Sequence, residues 1–178
     1  LYWQGPTLLN PHFANGTKDQ DGSRVFYEPL ASWDGEGNLL PVLAAEIPTV
    51  ENGGVSEDLK TITWKLRPDV VWSDGTPVTA EDAIFTWQYC THPEGGCAQA
   101  PYYDDVASVE AVDPATIKVT FTAPKANPYT AFVSALSPVL QKAQFEACLG
   151  AAAPTCTDAN NMPIGTGPFK VTGFTVND

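Results

Sequence analysis

The sequence predicts an α+β fold, with antiparallel and mixed strands and short helices interspersed. Two observations carry that reading. Apolar residues alternate with polar ones at Ile62, Trp64 and Leu66, and again at Ile117, Val119 and Phe121, the period of half-buried strands. Between these runs Ala80, Ala83, Ile84, Trp87 and Cys90 recur at helical spacing. The chain has 178 residues, 43% of them hydrophobic, enough for one core. No repeat and no long linker divides it, so residues 1–178 read as a single unit.

Taken in order, Leu1, Tyr2 and Trp3 read as a strand already under way. Pro11 keeps Asn10 out of a helix. Residues 15–23 are polar and read as a loop or helix entry, and residues 24–30 as a short helix that must stop near Pro29. Residues 34–38 are a turn by composition, followed by a brief apolar segment and then a loop rich in Gly and Asn. The strand at residues 61–67 ends at Pro68, which cannot donate to a ladder. Val70, Val71 and Trp72 form a second apolar run, and Ser73-Asp74-Gly75 turns the chain. Thr79 is the expected N-cap of the next helix, with Asp82 as the acidic member of a capping box.

Beyond the helix, residues 91–105 form a loop. Residues 106–112 and 116–122 form a hairpin around Asp113-Pro114-Ala115, with Val106, Ser108, Glu110 and Val112 on one face of its first strand. Pro128 opens an expected helix carrying Tyr129, Phe132, Val133 and Leu136, stopped by Pro138. Residues 141–148 are a further short helix and residues 151–163 irregular. Gly165-Thr166-Gly167 turns into an expected strand reaching about Val176.

Nine Lys and Arg stand against 21 Asp and Glu, a net charge of -12. That argues against nucleic acid as a partner, because phosphate binding needs clustered cations. No apolar run approaches the ~20 residues needed to cross a bilayer. No signal peptide is present, which reads as a mature or trimmed chain. The 4 cysteines fall into two local pairs. Neither has CxxC spacing, and the only histidines are His12 and His92, a poor supply for a closed zinc site. Two short-loop disulfides, Cys90–Cys97 and Cys148–Cys156, fit better and imply an oxidising compartment; four reduced, buried cysteines are the alternative.

Catalytic and cofactor patterns are weak. Gly165-Thr166-Gly167 lacks the Lys-Ser ending of a phosphate loop. A Ser-His-acid triad has no nucleophile elbow to build on. Asp104-Asp105 reads as a solvated pair. Asn15-Gly16-Thr17 matches a glycosylation acceptor, which would be discounted if the source were bacterial. No cofactor, no metal and no enzyme chemistry is expected.

The wording of several segments is more specific than their pattern. Trp64-Lys65-Leu66-Arg67, the run from Val71-Trp72-Ser73-Asp74-Gly75-Thr76-Pro77 to Asp82, and Phe85-Thr86-Trp87 resemble the first lobe of oligopeptide- and dipeptide-type solute-binding proteins of ABC importers. Leu9-Asn10-Pro11-His12 resembles that family's segment after its first strand. Phe26-Tyr27-Glu28-Pro29-Leu30 is similar to its Phe-Glu-Gly-Leu helix, with proline in place of glycine. Ile164-Gly165-Thr166-Gly167-Pro168-Phe169 resembles its Gly-Thr-Gly-Pro segment. The resemblance implies a two-lobed periplasmic-binding-protein-like fold of which residues 1–178 are most of the first lobe. It implies an extracytoplasmic receptor that captures peptides, or a similar small solute, and delivers them to a membrane ABC permease. Asn15, Gly16 and Thr17 would then bond the ligand backbone, and Tyr102 would reach it from the loop after the helix. Asn15 stands where the family usually has an acidic residue. The lobe alone is expected to fold but not to hold its solute, since the second lobe of the full-length chain supplies the other wall. An oligosaccharide receptor of the same fold and a secreted hydrolase domain are the rival readings.

Overall fold

The computed structural model describes residues 4–176; the strand expected at Leu1 to Trp3 lies outside them. Among the described residues the chain forms five strands and four short α-helices. Strands β1 (Ala31–Trp33) and β2 (Leu39–Pro41) pair antiparallel across the turn expected at residues 34–38. There Asp34 accepts the backbone N–H groups of Glu36 and Asn38. Strands β3 (Thr61–Lys65), β4 (Val106–Asp113) and β5 (Thr116–Phe121) form an antiparallel sheet in the order β3-β5-β4. Ile62 faces Val119 and Trp64 faces Ile117, and all four are buried, as the alternation requires.

The face expected of β4 is a correction. Val109 is its buried residue and Val112 is 62% exposed. Register shifts at Val106/Ser108 and Ala111/Asp113 break the alternation, because a bulge re-aims every side chain beyond it.

Helix α2 (Ala80–Thr91) begins at Thr79 as expected. Asp82 Oδ2 accepts the Thr79 backbone N–H at 2.8 Å and Trp72 Nε1–H at 3.3 Å, while Oδ1 accepts the Lys142 N–H at 2.8 Å. The carboxylate thus ties three segments to one helix end. The apolar stripe read from the sequence packs against the sheet: Ala80, Ala83 and Cys90 are buried in the main core, with Ile84 and Trp87 against it. A second side of the same helix is also covered. Phe85 and Tyr89 enter a smaller core with Tyr27, Leu140 and Phe145.

Three expected elements differ. The helix near residue 20 is α1 (Thr17–Ser23), and it ends before residues 24–30, where a helix was expected. Gly22, inside it, packs against Pro6. Residues 128–137 form turns rather than a helix. Phe132 and Ser134 take φ of 62° and 78°, outside any right-handed helix. Their backbone groups serve β1 instead: Leu30 N–H donates to Phe132 O, and Ser134 N–H to Ala31 O. The expected helix near residue 145 is α3 (Lys142–Phe145), continued by a 3-10 turn to Cys148. The stretch read as irregular holds a 3-10 turn (Gly150–Thr155) and α4 (Thr157–Asn161).

No strand follows Gly167 among the described residues. The glycine turn closes on the N-terminal half instead. Ser73 N–H donates to Gly165 O, and Gly167 N–H to Phe26 O. A Cβ at 165 would collide with the Phe26 carbonyl, so close backbone approach, not phosphate binding, explains these glycines.

Candidate ligand-binding site

The candidate site is built on the segment Asn10 to Thr17. Residues Pro11–Phe13 make a single 3-10 turn, opened by Asn10, whose side-chain oxygen accepts the His12 N–H at 3.0 Å. Asn10 is fully buried, and its Nδ2 donates to Asn160 Oδ1 at 2.8 Å and to Tyr89 OH at 3.2 Å. Leu9 N–H also donates to Asn160 O. A buried amide with its donors and acceptor engaged fixes the start of the loop.

From that anchor the chain meets the turn after α2. Ala98 N–H donates to His12 O at 2.8 Å, and Gln99 Nε2 donates to Ala14 O at 2.9 Å. Gln99 also opens the 3-10 turn Ala100–Tyr103, and its carbonyl accepts the Tyr102 N–H. The loop carrying Asn15, Gly16 and Thr17 and the turn carrying Tyr102 are therefore stitched side by side. Asn15 and Thr17 are exposed, Gly16 is half-buried and caps α1, and Tyr102 is half-buried with one side on the main core. Among the described residues no hydrogen bond or ring contact links Tyr102 to Asn15, Gly16 or Thr17. The structure brings their segments together and leaves open-facing polar groups on the first.

Sequence reasoning did not find Gln99, Asn10 or Asn160, the polar side chains that hold this arrangement. Buried amides follow no apolar period, and their partners lie far away in sequence.

Charge around the loop is ordered. Burial pushes the Asp19 carboxyl up, but the Thr7 N–H, Lys18 and the Thr7 hydroxyl outweigh it and hold Asp19 below the usual carboxylate range. Of the Asp104-Asp105 pair, Asp105 is bonded to Lys125 Nζ at 2.7 Å, which fits a structural rather than a catalytic carboxylate.

Behind the Tyr102 turn lies an open pocket of about 470 Å³, bordered by Trp87, His92, Tyr103 and Asp104 and reaching Cys90 and Cys97. The two cysteines are joined, Cα–Cα 5.0 Å, as are Cys148 and Cys156 at 5.7 Å. The buried His12 ring lies against the first pair, with Nδ1 3.4 Å from Cys90 Sγ and 3.8 Å from Cys97 Sγ. Sequence spacing gave no sign of that meeting.

Comparison with known proteins bears on the family and the fold that carry this segment. The glutathione-binding protein GsiB of Escherichia coli (strain K12) is 30% identical over 172 residues, which cover 97% of this chain and 31% of GsiB. The chain thus spans about a third of the curated relatives it matches. The OppA of Haemophilus influenzae, solved in complex with RPPGFSPFR, superposes with a TM-score of 0.80 at 26% identity over 98% of this chain and 35% of that one. The oligopeptide-binding AppA of Bacillus subtilis shares the fold at a TM-score of 0.84 and 22% identity, over 98% and 33%. These neighbours have the two-lobed periplasmic-binding-protein-like fold. The family model described as bacterial extracellular solute-binding proteins, family 5 Middle, matches residues 38–178. By that match, the chain belongs to the family 5 extracellular solute-binding proteins.

Proposed function

We propose that the chain is one wall of a receptor that captures peptides outside the membrane and hands them to an ABC permease. The observation that carries the reading is the stitched pair of segments, the Asn15-Gly16-Thr17 loop held against the Tyr102 turn through Gln99 and Ala14. A rigid seam that leaves Asn15 and Thr17 exposed is a scaffold for meeting a ligand backbone, which accepts many side-chain sequences. A relative named for glutathione and a solved neighbour in complex with the peptide RPPGFSPFR support a peptide as the solute class. In this reading residues 1–178 are most of the first lobe, and the second lobe of the full-length protein supplies the facing wall. Closure of the two around the peptide presents the permease with a loaded surface. The receptor turns nothing over.

Calorimetric titration of the full-length protein with short peptide pools tests this. Saturable binding is expected, with the peptide recovered intact by mass spectrometry. Tyr102→Ala should weaken binding about tenfold, near 1.4 kcal/mol, with the melting temperature nearly unchanged. Equal affinity in that variant would remove Tyr102 from the site. Binding of oligosaccharides but not peptides would overturn the solute class, and cleaved peptide would overturn the receptor reading.

A further inference from the structure

We propose that His12, Cys90 and Cys97 form a redox-gated metal site, which binds one thiophilic divalent cation of the zinc class when the Cys90–Cys97 bond is reduced. Three features of this buried corner lead there. The first is the tautomer. His12 Nε2 lies 3.0 Å from the Pro138 carbonyl, which can only accept, so Nε2 carries the proton and Nδ1 presents its lone pair to the sulfurs. Disulfide sulfurs have no proton to give, so this buried lone pair faces two atoms that cannot donate to it. An imidazole with one nitrogen donating to a backbone carbonyl and the other bare is the usual form of a metal-ligating histidine.

The second feature is spacing. The ligand atoms of all three residues lie within 4.8 Å of one another. Zinc bonds of about 2.0–2.1 Å to nitrogen and 2.3 Å to sulfur, at the tetrahedral angle, put the two atoms about 3.6 Å apart. The Nδ1–Sγ distances of 3.4 and 3.8 Å bracket that value. Only the sulfurs must part, to about 3.8 Å.

The third feature is access. Cys90 and Cys97 border the open pocket that also holds His92 and Asp104, so a reductant and an ion have a route to the pair. Among the described residues, the Cys148–Cys156 pair has no comparable third ligand, which makes it an internal control.

The chemistry balances. A small dithiol supplies two electrons, passes through a mixed disulfide, and leaves as its own cyclic disulfide, giving two protein thiols. The divalent ion then replaces both thiol protons, which go to solvent, and joins two thiolates and one neutral imidazole. Either redox state thus closes the same loop, by a sulfur–sulfur bond or by a metal.

The test uses the chain carrying Cys148→Ser and Cys156→Ser, so that one pair remains. It is reduced with dithiothreitol, freed of reductant under argon, and titrated with Zn2+ alone and with Co2+ alone. The expected result is one ion per chain, two protons released, thiolate-to-cobalt charge-transfer absorption, and at least tenfold tighter binding than in the oxidised chain. X-ray absorption of the zinc form should give two sulfurs and a nitrogen. His12→Gln should weaken binding by tenfold or more; if that variant does not fold, the absorption spectrum of the histidine-containing chain decides. Equal binding by oxidised and reduced chains, or coordination without nitrogen, would overturn the proposal.

Discussion

At His12, burial and hydrogen bonding act in opposite directions. Burial disfavours the charged ring and lowers its pKa to about 4, while the bond to Pro138 O opposes the fall. The unfolded chain takes up this proton near pH 6.5, the folded chain only near 4. Between those values the unfolded state binds more protons, so stability rises with pH and is lost as pH falls through the window. The whole gap is worth about 3 kcal/mol, of which about 2 kcal/mol disappears between pH 7 and pH 5. Urea denaturation at the two pH values should show that loss, and His12→Gln should show little of it. The surroundings of the ring are Tyr89 at its edge, the cysteine pair and the Pro138 carbonyl, none charged. At this scale the sequence was only partly legible. The two cysteine pairs could be read from their spacing, and Asn15, Gly16, Thr17 and Tyr102 are candidates that only the family resemblance proposes. The amides that position them, Asn10, Gln99 and Asn160, could not, because a buried hydrogen bond is a property of two distant positions at once.

Among the elements, α2 was the most legible, and Asp82 shows why. One carboxylate caps the helix locally, which the three-residue spacing from Thr79 announces, and it also accepts from Trp72 and Lys142, which nothing local announces. Asp82→Ala should therefore cost more than a lost cap. The Trp72 indole and the Lys142 amide lose their acceptor, for a total of about 2–4 kcal/mol, measurable as a fall in the urea midpoint at pH 7. Strands β3 and β5 were legible for the same local reason, since each pairs along its length with alternation intact. The failures had non-local causes. Tyr129, Phe132, Val133 and Leu136 have helical spacing, yet Phe132 and Ser134 give their backbone bonds to the β1 region. Bulges in β4 moved the buried face to Val109. In both places tertiary contacts override a periodic pattern.

On the scale of the whole molecule, α2 divides two cores, a large one under the sheet and a small aromatic one built on Phe85, Tyr89, Leu140 and Phe145. Phe145 is fully buried and meets Tyr89 edge to face at 5.7 Å. Phe145→Ala should cost about 3–5 kcal/mol. Hydrogen exchange should rise first in α3 and α4, with β3 and β5 affected less; uniform loss of protection would mean that the two cores open as one. The small core is closed by the bonds from Leu9 and Asn10 to Asn160. That seam also sets an order of events during synthesis. A ribosome must add 150 residues after Asn10 before Asn160 exists for it to meet, so the first loop waits while β3, α2 and the β4–β5 hairpin can already form. Its closure is a late, long-range step, and until then Leu9 and Phe13 are exposed to any chaperone that reads apolar segments on a nascent chain.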